Sequence, residues 1–330
     1  MDKMNLKKYI GQGQAVALFG TYLPDNIAKY SNVHVLSADM SAAASLSRYM
    51  YQNPDKYTEI GIAEQNLVGI SAGMASEGFT PIAIAQAAFI TMRAFEMDRQ
   101  YLGYMKNKVI LVGLNSGFYL QYFGNTHYCV EDFSILRSIP NMTILSPADA
   151  GEAVMALDAA LKHDGPSYIR LTGGSQLVTV YNEYCDFAIG KDNVVREGSD
   201  ICIFATGACV GNSMKAAEIL AENHGIEVKV VDVHTLKPFD TDTVDESKDC
   251  RLFVSVEEHN VIGGLGSALS DYTSSKSGFP MILRLGVQDT FSKPGNYDYL
   301  MTQHRLTPEL IAENIYKKIR YYENSDHNWM

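Results

Sequence analysis

The sequence predicts an α/β protein of two parallel-sheet domains joined through crossover helices. Short runs rich in β-branched residues alternate with longer helical patterns along the whole chain, as parallel strands linked by helices read. The strand candidates number nine, too many for one comfortable sheet in 330 residues. Between the fifth and sixth lies residues 172–200, "TGGSQLVTVYNEYCDFAIGKDNVVREGSD", with a Gly pair, mixed polarity and no sustained helical period. A boundary is therefore expected near residues 175–198, giving a first domain over 1–178, a linker over 179–198 and a second domain over 199–330.

In chain order the strand candidates are "VHVLSA" from Val33, "TPIAIA" from Thr80, "KVILVGL" from Lys108, "MTILS" from Met142 and "PSYIRL" from Pro166. "ICIFAT" from Ile201, "EVKVVDV" from Glu227, "LFVSVE" from Leu252 and "MILRL" from Met281 follow. Between the first two, Ile62, Leu67, Ile70, Ala72, Gly73, Met74 and Ala75 suit a helix packed closely on its neighbours, with Gly78 and Pro81 as its stop. Glu64 falls in its first turn, at the edge of a core. The ordinary reading is a carboxylate favouring the helix dipole, worth a few tenths to ~1 kcal/mol. Thr206 and Gly207 form a generic strand-to-helix junction, and "VIGGLGSAL" at 261–269 reads as close helix packing rather than a phosphate loop.

Composition narrows the function. A hydrophobic fraction of 46% with 20% charged residues is that of a globular protein, and a formal net charge of −11 argues against a nucleic-acid or anionic-membrane surface. The N-terminal "MDKMNLKKYIGQGQ" lacks a signal-peptide core and no apolar run is long enough to span a bilayer, so a cytoplasmic protein is expected. Five scattered cysteines without a CxxC pair point to free thiols. GxxxxGK[ST], GxGxxG after a strand, HExxH and GxSxG are all missing, which removes the common nucleotide, zinc-protease and serine-hydrolase readings.

Four segments, "SADM" at 37–40, "EIGIAEQNLVGISAGMASEG" at 59–78, "GNTHYCVEDFSILRSIPNMTILSPAD" at 124–149 and "GPSYIRL" at 165–171, resemble the pyrimidine-binding domain of transketolases. "IFATGACV", "VKVVDVHTLKPFD" and "VSVEEHNVIGGLGSAL" resemble the C-terminal domain of the same family, and the sister family of 1-deoxyxylulose-5-phosphate synthases shares both. The resemblance runs in order from about residue 14 to 320. The family's thiamine-diphosphate-binding domain, with its GDG motif, is not found, so the chain resembles the C-terminal subunit of a split transketolase.

The resemblance assigns roles. In the family, a Glu bonded to N1′ of the aminopyrimidine drives the ring to the imino tautomer that takes the proton from the thiazolium C2, and Glu64 stands at that position. Such a carboxyl shares a proton in an apolar pocket, where desolvation raises its pKa at ~1.4 kcal/mol per unit. Phe89 matches the aromatic residue that stacks on the ring, contributing ~0.5–1.5 kcal/mol beyond burial; Gln86 stands where a second aromatic is common. Asp39 and Met40 correspond to residues near the thiazolium. His127 matches a histidine that addresses substrate hydroxyls, a general acid or base near neutral pH. Arg170 either faces the substrate at the site's rim or caps the sheet.

Departures from the pattern bear on the substrate. Gly173 replaces a phosphate-binding Arg, Ala43 a Ser or Thr, and Val16 an early Arg, so at least one substrate is expected not to be a conventional sugar phosphate. Phe123 replaces a hydroxyl-binding carboxylate and Asn125 a proline, which suggests a less polar or bulkier acceptor. The resemblance implies two-carbon transfer through thiamine diphosphate, with Mg2+ held by an N-terminal subunit bearing the GDG motif, two copies of each subunit, and this chain inert alone. Two other readings stay open here: the β chain of a 2-oxo acid dehydrogenase decarboxylating component, and a non-catalytic subunit.

Overall fold

The computed structural model describes residues 4–173 and 177–326, so residues 175 and 176 of the expected boundary lie outside them. The first sheet is built from β1 (Val33–Ser37), β2 (Tyr57–Glu59), β3 (Thr80–Gln86), β4 (Ile110–Leu114), β5 (Thr143–Leu145) and β6 (Ser167–Arg170). The second contains β7 (Asn193–Arg196), β8 (Ile201–Ala205), β9 (Val228–Asp232), β11 (Leu252–Asn260) and β12 (Ile282–Val287), while β10 (Thr235–Lys237) crosses back to the first. The orders are β10-β5-β6-β4-β3-β1-β2 and β12-β11-β8-β9-β7, parallel except for the pairs β10/β5 and β7/β9. Each of the nine expected strands is present. The additional β2, β7 and β10 span only three or four residues, too few to leave a pattern.

Strand β4 is buried at all five positions, as expected for a parallel strand covered on both faces. The chain leaves β1 for β2 on one side, then returns through the helix Glu64–Ser76 to β3 on the other. Strands β1 and β3 therefore flank a topological switch point, and the crevice outside their carboxyl ends is where open parallel sheets bind ligands.

The two halves share one interior. Phe204, Val231 and Phe253 of the second sheet belong to the same apolar cluster as Leu111, Phe133 and Tyr168 of the first. β10 pairs with β5, and the segment expected as a linker contributes β7, which pairs with β9.

One expectation about the helix Glu64–Ser76 is corrected. Leu67, Val68, Ser71 and Ala72 are buried, but Ile62, Ile70 and Gly73 are exposed. Apolar residues there occupy both faces, and periodicity cannot distinguish a face buried within the chain from one left open. The Gly-rich turn at 261–266 is internal packing: a Cβ on Gly264 would lie 2.0 Å from the Glu257 carboxylate, which accepts the amides of Leu265 at 2.6 Å and Gly266 at 2.9 Å. The anion at that helix start is the protein's own. The five cysteines are free, and among the described residues no helix is long and apolar enough to cross a membrane.

Candidate active site

Glu64 is the first residue of its helix, and its side chain is 3% exposed at the switch-point crevice. Ala63 offers no side-chain cap, so the carboxylate sits among unpaired amides at the positive helix end. Its Oε2 accepts a hydrogen bond from Arg93 Nη1 at 2.6 Å. Arg93 lies four residues beyond Phe89 on the wide helical turn Phe89–Arg93 that follows β3, and its guanidinium carbon stands 4.4 Å from the centroid of that ring. Wide turns of this kind recur at functional sites, because the extra residue re-aims side chains.

His127 reaches the same place from the loop after β4. The segment Gln121–Thr126 kinks at Gly124, whose φ is +77°, and a Cβ there would come within 3.1 Å of Pro294. Glycine is required on both counts. The Gly124 carbonyl accepts the amides of His127 and Tyr128, which orients the imidazole. Nδ1 is engaged by Thr126 Oγ1 at 2.8 Å, so Nε2 is the nitrogen available to a substrate. The ring meets Phe89 at 5.5 Å and Phe123 at 5.1 Å. Phe123 is 65% exposed and forms the outer wall.

The other expected residues divide. Asp39 is exposed at the carboxyl end of β1 with φ +55°, and its amide is held by Glu59 Oε1 at 2.7 Å, as is that of Gly61 at 2.9 Å. Glu59 thus ties the Asp39 turn to the entry of the Glu64 helix. Met40 is half-buried and packs on the core beneath the crevice. The Asn125 and Arg170 side chains are both engaged, and the substrate assignment of Arg170 needs correction. Asn125 commits its amide to Ser292, donating to the carbonyl at 2.8 Å and accepting the N–H at 3.0 Å, so it clamps the His127 loop to the second domain. Arg170 is 1% exposed, paired through Nε with Asp132 at 2.8 Å and donating to the carbonyls of Cys129 at 3.1 Å and Glu258 at 3.0 Å. It is a strut between the domains and offers no face to a substrate.

Sequence reasoning missed Arg93 and Glu59. The signal for Arg93 was its i,i+4 spacing from Phe89 on one helical face; for Glu59 there was none, because β2 is too short to read.

A buried carboxylate beside an aromatic face fits a flat, nitrogen-bearing ring. The guanidinium of Arg93, itself a flat N–C–N group, already makes both contacts. Residues 15–175, which carry every expected site residue, match the family model for the transketolase pyrimidine binding domain, and residues 190–311 match that for the transketolase C-terminal domain. The chain belongs to the transketolase family. Transketolases use thiamine diphosphate. Among relatives, a 6-deoxy-6-sulfo-D-fructose transketolase subunit, SqwH, of Clostridium sp. is 37% identical over 86% of this chain and 88% of its own length. An apulose-4-phosphate transketolase subunit of Actinobacillus succinogenes is 34% identical over 84% of this chain and 89% of its own length. A solved split-gene transketolase, described as an inactive beta4 tetramer, superposes with a TM-score of 0.84 at 32% identity, covering 92% of this chain and 97% of that one.

Proposed function

We propose that this chain is the C-terminal subunit of a heteromeric transketolase-like enzyme that transfers a two-carbon unit through thiamine diphosphate. The observation that carries it is Glu64, a nearly buried carboxylate at the switch-point crevice with Phe89 and His127 beside it. When bound, the cofactor supplies a nucleophilic carbon for the transfer. Glu64 holds the proton at the N1′ position of the aminopyrimidine, Phe89 presents a face for the ring, and His127 Nε2 moves protons at substrate hydroxyls. Phe123 shields that exchange from water.

The diphosphate and Mg2+ fall to an N-terminal subunit with a GDG motif, in a complex of two copies of each. Supporting this, Ile70 and Gly73 on the Glu64 helix and Ile62 just before it are exposed beside the site. That a split-gene relative is described as inactive in a beta4 tetramer points the same way. The substrate departs from conventional sugar phosphates: Gly173, Ala43 and Val16 present no cation, and two relatives are named for a sulfo-sugar and for apulose 4-phosphate. The test is calorimetric titration of thiamine diphosphate with Mg2+ into this chain alone and into the chain co-purified with a GDG-bearing partner. Saturable binding only in the mixture is expected. Failure to bind in either, with the partner folded and associated, overturns the proposal.

A further inference from the structure

Arg93 poses a problem that the proposed function does not answer. A carboxylate 3% exposed needs a counter-charge, and removing one member of such a pair is costly. Arg93 supplies that charge, through a 2.6 Å bond to Oε2 of Glu64 and a guanidinium 4.4 Å above the Phe89 ring. These are the two contacts required of the cofactor ring: a nitrogen bonded to Glu64, and a flat group over Phe89. The guanidinium and the ring therefore compete for the same carboxylate and for the same aromatic face.

We propose that Arg93 is a placeholder in the aminopyrimidine subsite, occupying the space between Glu64 and Phe89 until the cofactor displaces it. This rests on the reading of Glu64 and Phe89 given above. The side chain is built to leave: Glu64 is nearly buried, but Arg93 remains 48% exposed, so its head can turn to water on its own stem. The cofactor-free subunit thereby keeps Glu64 paired and the crevice filled. Once the ring enters, it replaces both contacts.

The experiment uses the complex of this chain with its N-terminal subunit, titrated with thiamine diphosphate and Mg2+, comparing wild type, Arg93→Ala, Arg93→Lys and Glu64→Ala. Arg93→Ala is expected to bind the cofactor about tenfold tighter, since no side chain has to be displaced. The melting temperature of the same variant without cofactor falls, because Glu64 is left unpaired. Arg93→Lys, which keeps the charge but loses the flat fork, is expected to fall between Arg93→Ala and wild type, and it serves if the alanine variant does not fold. A residue that merely braced the site would lose affinity and stability together. Equal or weaker binding in the Arg93 variants, with wild type binding in a Glu64-dependent manner, overturns this inference alone. Binding indifferent to Glu64→Ala would overturn the functional reading as well.

Discussion

The imidazole of His127 meets the ring of Phe89 at 5.5 Å and an interplanar angle of 69°, while Phe123 closes on it at 5.1 Å. Two aromatic walls and Thr126 thus hold a ring whose remaining nitrogen is free for proton transfer. His127→Ala is expected to lower kcat by about 10²–10⁴-fold. Cofactor affinity in the complex should change less than about twofold. A comparable loss of cofactor binding would show that His127 braces the crevice instead.

Phe89 is expected to contribute through its face. Phe89→Ala removes offset stacking worth about 0.5–1.5 kcal/mol, together with the burial that accompanies it. Calorimetry on the complex should show thiamine diphosphate binding weakened by at least about threefold, with the isolated subunit still folded. Unchanged affinity would place the ring elsewhere.

Arg170 and Asp132 are both fully buried and joined at 2.8 Å, with Tyr168 also donating to the same Asp132 oxygen. Removing one partner strands a buried charge, so Arg170→Ala is expected to cost about 3–5 kcal/mol in urea unfolding. Replacing both, as Arg170→Met with Asp132→Leu, should recover much of that loss. A single variant losing less than about 1 kcal/mol would contradict the strut assignment.

Glu152, on the helix Ala150–Lys162 of the first domain, meets Asp232 of β9 where the domains join. Asp232 Oδ2 accepts from Tyr181 at 2.7 Å, and Glu152 Oε1 and Asp232 Oδ1 are buried without a hydrogen-bond partner. Burial pushes Glu152 well above the usual carboxyl range and Asp232 up to about 7, so the pair keeps a proton in the folded chain that the unfolded chain releases. Folding binds that proton, and the stability it contributes is fully present below the unfolded value near ~4 and is lost as pH rises to about 7. Glu257 and Glu258, also raised to about 7 by burial, act in the same direction. The urea midpoint is expected to fall as pH rises from 5 through 7. Asp232→Asn, which keeps a donor toward Glu152, should flatten that slope; an unaltered slope would remove the shared proton.

The substrate proposal turns on Gly173. A Cβ there would lie 2.9 Å from Leu177 Cγ, so an arginine fits only if Leu177 gives way. Gly173→Arg combined with Leu177→Ala is expected to lower KM for ordinary ketose phosphates in the assembled enzyme. If the wild type already turns these over efficiently, the proposal fails.

The sequence by itself determined the parallel α/β architecture, because strands buried on both faces must read as apolar runs such as Ile110–Leu114. It also determined the family, through ordered motifs around Glu64, Phe89 and His127. Tertiary structure alone decided three matters. It turned Arg170 from a site candidate into an interdomain strut, since only the fold brings the Asp132 carboxylate and the Glu258 carbonyl to its guanidinium. It exposed Ile62 and Ile70, because helical period marks apolar faces without saying which chain covers them. It placed Arg93 against Glu64 across 29 residues of sequence. Local patterns record what each segment prefers, but the pairing of charges between segments exists only once β1, β2 and β3 stand side by side and their carboxyl ends share one crevice.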